Sequence, residues 1–175
     1  MIKKLLFTFV TGAFLAVGAM AQTVNMDLET WTGVDPGIQC DEWGTLNAFT
    51  GFGAPQTTFQ ETANPGEGAS SAKIKTDYWQ GATQAGAPSD TVSGFLTLGP
   101  PPSPGPMGVP YTDKPSSVTF MAMWNMQQSD TAAVFIQLTH WDTATNMQVV
   151  DARALVAFPD SMSVWTAMTA TLFYF

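Results

Sequence analysis

The sequence contains one cysteine, Cys40, and one histidine, His140. A lone cysteine excludes an internal disulfide and a cysteine-based zinc site, and its reactivity would depend on a base that the chain supplies only once. Charge is scarce as well: Asp, Glu, Lys and Arg make up 11% of the residues, against about 25% in an ordinary soluble domain. What charge there is leans negative, with 14 acidic and 6 basic residues and a formal net charge of -8. Such a chain is repelled by phosphate backbones, which disfavours nucleic acid as a partner. Beyond the first 21 residues no apolar run is long enough to cross a bilayer. That region also lacks convincing helical periodicity, a nucleophile-elbow sequence and a glycine-rich phosphate loop leading into a helix.

Apolar material is abundant. Hydrophobic residues account for 45% of the chain and aromatics for 12%, enough for a core and against disorder. With so few charges, the surface must be covered largely by Thr, Ser, Gln, Asn and Gly, which suits an extracellular β-protein. Residues 1–21 read as a secretory signal peptide: Lys3 and Lys4 form a basic start, Leu5 to Val17 an apolar run, and Ala19-Met20-Ala21 a cleavage sequence. Cleavage near Ala21, before Gln22, would remove two lysines and no acid, making residues 22–175 still more acidic. The mature domain is expected to be secreted or held at the outer cell surface.

The most legible stretch runs from Tyr111 to Asp142. Val118, Phe120, Ala122 and Trp124 alternate with Thr119, Met121, Met123 and Asn125, a polar turn follows at Gln127-Gln128-Ser129-Asp130, and Val134, Ile136 and Leu138 then alternate with Phe135, Gln137 and Thr139. Alternation on both sides of a polar turn predicts an antiparallel hairpin in the middle of a sheet. Further strands are predicted at Val24–Trp31, Thr57–Glu61, Ala69–Thr76, Thr91–Leu98, Met147–Phe158 and Val164–Phe175. Asn64-Pro65-Gly66-Glu67-Gly68 marks a turn, and the proline-rich Gly99–Pro110 an exposed connection. Short strands separated by turn signals predict an all-β fold, an antiparallel β-sandwich or jelly roll. Because Leu172-Phe173-Tyr174-Phe175 ends the chain inside an apolar strand pattern, the natural protein is expected to continue into the last strands of that sandwich.

Several ordered motifs are similar to one family. Asn25-Met26-Asp27-Leu28-Glu29-Thr30-Trp31, Trp43-Gly44-Thr45-Leu46-Asn47 and Gly68-Ala69-Ser70-Ser71-Ala72-Lys73-Ile74 are followed by Gly108-Val109-Pro110-Tyr111-Thr112-Asp113-Lys114-Pro115 and by Leu138-Thr139-His140-Trp141. In their order and spacing they resemble the carbohydrate metabolism domain family, secreted jelly-roll-like β-sandwiches of Gram-negative bacteria that often carry a tail for type IX secretion. The resemblance extends over nearly all of residues 23 to 175. It implies carbohydrate binding and transfers no catalytic residue.

Three groups of residues are candidates for chemistry. Asn25, Asp27 and Glu29 would project from one face of the Val24–Trp31 strand, where alternating oxygens could contribute to a structural calcium site; a solvated strand face is the competing reading. Among six tryptophans, Trp79 with Gln80 in a loop and Trp141 with Asp142 at a strand end are the candidates for polysaccharide contact, since flat aromatic faces pack on pyranose rings while a few polar groups fix orientation. Trp31, Trp43 and Trp124 read as core. An enzyme would need either paired carboxylates, for which Asp142 and Asp151 flank one candidate hairpin, or His140 as a base. His140 follows the inward parity of Val134, Ile136 and Leu138 and reads as structural. The functional expectation is therefore a secreted, non-catalytic carbohydrate-binding module. A structural or adhesive surface protein is the alternative, and a glycan-active hydrolase ranks behind both.

Overall fold

A computed structural model describes residues 25–99, 108–126, 131–158 and 160–175, and they form an all-β protein of antiparallel sheets. The segment expected to be a signal peptide, most of the proline-rich connection and the predicted turn at 127–130 lie outside the described residues. The chain divides into two compact units. One takes the chain up to Glu61 and Ser71–Thr112, the other Thr62–Ser70 and Asp113–Phe175.

The first unit holds β1 (Trp31–Thr32), β2 (Gln39–Cys40), β3 (Trp43–Thr45), a 3-10 helix (Leu46–Phe52), β4 (Thr58–Glu61), β5 (Ser71–Ile74), β6 (Asp77–Tyr78), β7 (Thr91–Val92) and β8 (Leu96–Leu98). These short strands pair as β1–β2, β3–β8, β4–β5 and β6–β7. Its most deeply buried side chains are mainly polar: Asn47, Thr45, Thr57 and Thr58, with Cys40 beside them. A buried amide is tolerated only when its hydrogen bonds are made, and Asn47 makes four. Its Nδ2 donates to the carbonyls of Ile38 (2.9 Å) and Thr58 (2.6 Å), and its Oδ1 accepts from the backbone N–H groups of Thr57 (3.0 Å) and Thr58 (3.2 Å). Asn47 thus joins the loop before β2 to the start of β4. The 3-10 helix sets it in place: Thr45 caps the first turn by accepting from the Asn47 N–H, and Gly53, at φ 91°, closes the last.

The second unit contains β9 (Ser117–Trp124), β10 (Ala132–Asp142), β11 (Met147–Phe158), β12 (Met162–Thr171) and β13 (Phe173–Tyr174). Two sheets form, β9–β12 and β10–β11–β13. Their inner faces meet around Ala152, Ala154, Ala170 and Leu172, with Val118, Phe120, Ile136, Leu138 and Val156 packed against them. This is the packing of a two-layer β-sandwich. Trp124 stacks on Phe158 with ring centroids 4.5 Å apart, as a core residue should. Residues 62–70 lie against β9 and β12: Gly66 packs on Trp165 so closely that an added Cβ would come within 2.7 Å of the ring, and the Trp165 indole N–H donates to the Asn64 carbonyl.

Three expectations are corrected. β9 and β10 are both strands, yet they do not form a hairpin with each other; β9 pairs with β12 and β10 with β11, so the two belong to opposite sheets. Their alternation is what facing strands across a core require as much as paired neighbours. Residues 25–30 form a turn rather than a strand, because Asn25 binds the Thr30 backbone through both ends of its amide and Leu28 sits at φ 60°. The 3-10 helix was not anticipated, and seven residues at a three-residue period carry no 3.6-residue signal.

Asn47 and Thr57 make opposite predictions. Asn47→Leu strands two buried N–H groups and should lower stability by about 2–5 kcal/mol. Thr57 Oγ1 is buried without a hydrogen-bond partner among the described residues. Thr57→Val should therefore be neutral or stabilising by up to about 1 kcal/mol, with both changes read from urea unfolding midpoints.

Candidate functional site

The sequence-derived candidates fall in both units. Trp79 and Gln80 belong to the first. Trp79 is half-buried, its backbone N–H donates to Asp90 O and its carbonyl accepts from Ala82, while Gln80 is exposed. Asp90 closes this loop by accepting from both the N–H and the hydroxyl of Thr83, each at 3.0 Å. Trp31 and Trp43 are half-buried, with their indole N–H groups donating to the carbonyls of Leu28 and Asn25. An open depression of about 520 Å³ beside Trp43 is lined by Gln39, Asp41, Glu42 and Thr50 among others. Sequence reading passed over it, since its walls come from loop residues without a motif.

The proposed calcium ligands do not stand on one strand face. Asn25 spends its amide on Thr30 O, Asp41 O and Cys40 Sγ, and its side-chain oxygen on the Thr30 N–H. Among the described residues no group of three or more His, Cys, Asp or Glu is placed to hold a metal ion. Cys40 lies beneath Asn25, and burial pushes its thiol up to about 12, so it is no nucleophile at neutral pH.

Trp141 and Asp142 belong to the second unit, at the far end of the β10–β11 hairpin. A bulge precedes them: Leu138 faces Ala152 and Thr139 faces Val150, leaving Asp151 as the extra residue of β11. The packed core stops at this bulge. Beyond it, His140 and Trp141 on β10 and Met147, Gln148 and Val149 on β11 are all exposed, so both faces of the hairpin end meet solvent. His140 keeps the side of β10 that its parity with Leu138 predicts, but it lies beyond the end of the core and is exposed. Its Nδ1 contacts both carboxylate oxygens of Asp151, at 2.9 and 3.0 Å. That pair orients the ring and leaves Nε2 without a nucleophilic partner among the described residues.

Asp142 is occupied by the turn. One carboxylate oxygen accepts from the Ala144 N–H (2.9 Å) and the other from the Thr145 hydroxyl (2.7 Å). Asp142 and Asp151 therefore serve separate local jobs rather than flanking one bond.

Trp141 is 49% exposed and stands on the outer face of the β10–β11–β13 sheet. Gln148 lies directly across from it, and the Gln148 amide donates to the hydroxyl of Thr139, which occupies the same face two residues earlier. The register extends this face along the sheet. Phe135 opposes Leu155, Gln137 opposes Arg153, and Arg153 opposes Phe173 on β13. Phe135, Leu155, Phe173 and Phe175 are 58 to 77% exposed. From Phe135 to Trp141 the face runs about 20 Å at the usual rise of a strand. Only the Trp141 end of it could be singled out from sequence, because the other members become neighbours through pairing.

The Thr145 hydroxyl, and then the Ala144 N–H, hold the Asp142 carboxyl below its usual range. With the folded value depressed, the turn's contribution is complete above the ordinary aspartate value of about 3.9 and is lost as pH falls through the lower folded value. The Ala144 amide proton resonance should move toward its random-coil position in that acid range, and Asp142→Asn should abolish the transition.

Among the described residues no helix is long and apolar enough to cross a membrane. Comparison with protein-family models, with curated proteins and with solved structures finds no match to this chain.

Proposed function

We propose that the protein is a non-catalytic carbohydrate-binding β-sandwich module acting outside the cell or on its surface. One observation carries this reading: the outer face of the β10–β11–β13 sheet exposes Trp141, Phe135, Phe173 and Phe175 together with Gln137 and Gln148, with the half-buried Thr139 between them. Soluble domains rarely leave contiguous apolar surface uncovered unless something binds there. Ring faces beside isolated amides and a hydroxyl match the two sides of a sugar, whose C–H faces are apolar and whose rim donates and accepts hydrogen bonds. The basic and apolar start of the sequence and the resemblance to secreted carbohydrate metabolism domains support the location and the ligand class. Asp142 enters this reading as the residue that shapes the turn beside Trp141, and Trp79 with Gln80 as a separate candidate contact in the first unit. A hydrolase is less well supported, because His140 and Asp151 engage each other and Asp142 engages the turn.

Affinity gel electrophoresis against a panel of soluble polysaccharides tests the proposal. At least one polysaccharide should retard the protein, and Trp141→Ala should weaken that retardation about 3- to 10-fold, the range expected from one aromatic contact. No retardation by any member removes the carbohydrate reading and favours an adhesive surface protein using the same face.

A further inference from the structure

Among the described residues the outer face of the β10–β11–β13 sheet contains one charged side chain, Arg153 on β11. Its cross-strand neighbours are Gln137 on one side and Phe173 on the other. Its guanidinium carbon lies 5.2 Å from the centroid of the Phe175 ring, so an aromatic face positions the cation. The Phe175 N–H donates to the Asp151 carbonyl at 3.0 Å, which fixes the backbone that carries this ring. Among the described residues Arg153 forms no ion pair, whereas Lys75 is paired with Asp77 and His140 with Asp151. In a chain with 14 acidic and 6 basic residues, an arginine that forms no ion pair among the described residues and is flanked by Gln137 and Phe173 is the reverse of what composition leads one to expect.

From this geometry we infer that the ligand of the face is an acidic polysaccharide carrying carboxylates, such as a polymer of uronic acid residues. The inference rests on the carbohydrate-binding reading and narrows it. The planar fork of a guanidinium matches a carboxylate through two parallel hydrogen bonds, a geometry that an ammonium cannot reproduce. Phe173 and Phe175 beside it offer apolar surface to the ring of the same sugar, and Gln137 offers an amide to its hydroxyls. Asp151, two residues before Arg153 in sequence, directs its carboxylate to His140. The overall negative charge of the chain is screened beyond about 8 Å at physiological salt, so the local cation governs the contact.

The test compares polygalacturonate and alginate with their esterified, uncharged forms on the intact protein. At least one acid form should bind about ten-fold or more tightly than its ester, the range of a charge-assisted pair. Arg153→Gln should erase that preference, while Arg153→Lys should restore only part of it. Thermal unfolding of each variant verifies that the fold is kept. Equal binding of acid and ester by the unaltered protein, or a preference that survives Arg153→Gln, overturns the inference while leaving carbohydrate binding intact. If neither the acids, the esters nor the neutral panel binds, the carbohydrate reading falls and this inference with it.

Discussion

The burial of Ala152 is the constraint on which the second unit depends. It is fully enclosed, pairs with Leu138 on one side and Tyr174 on the other, and faces Ala170 and Leu172 within the core. Small side chains on β11 let the larger Val118 and Phe120 from the opposite sheet fill the space between the layers. A larger residue at position 152 would have to displace neighbours on both sheets, and interiors resist such overpacking. β11 is consequently fixed in register and depth, and everything it presents outward is fixed with it.

Two consequences follow from that placement. The bulge at Asp151, one residue before Ala152, ends the covered part of the sheet and lets the hairpin end continue alone into solvent with Trp141 upon it. On the far side of the bulge, Arg153 and Leu155 point away from the core because Ala152 and Ala154 point into it. The alternation that secures the core thus also assembles the aromatic outer face. The first unit is held differently: a buried amide at Asn47 ties its loops together through backbone groups, and apolar packing contributes less there.

Most strands of the second unit were legible in the sequence through their alternation, but Val164–Phe175, read as one strand, divides into β12 and β13 on different sheets. Met147–Phe158 is recovered with the same ends, and Val118, Phe120, Val134, Ile136 and Leu138 lie on the inward side as their parity predicts. Pairing was not legible. Alternation reports which side chains point to a core and says nothing of which strand supplies the neighbour, so β9 and β10 were read as a hairpin. The stretch predicted as the strand Val24–Trp31 alternates just as well, yet residues 25–30 form a turn, since a side-chain amide satisfied the backbone instead of a ladder. For the same reason the candidate face was seen only at its Trp141 end. Arg153, Phe173 and Phe175 are more than ten residues away in sequence, and only the β11–β13 pairing makes them one surface.

The central claim is that the outer face of the β10–β11–β13 sheet meets a saccharide. Titrating the isotope-labelled protein with short oligomers of each acidic and neutral polysaccharide of the panel and mapping the perturbed resonances tests it most directly. The account predicts shifts that cluster on Phe135, Gln137, Trp141, Gln148, Arg153 and Phe173. Shifts confined to the first unit around Trp79 or Trp43, or no shifts with any oligomer of the panel, would contradict it.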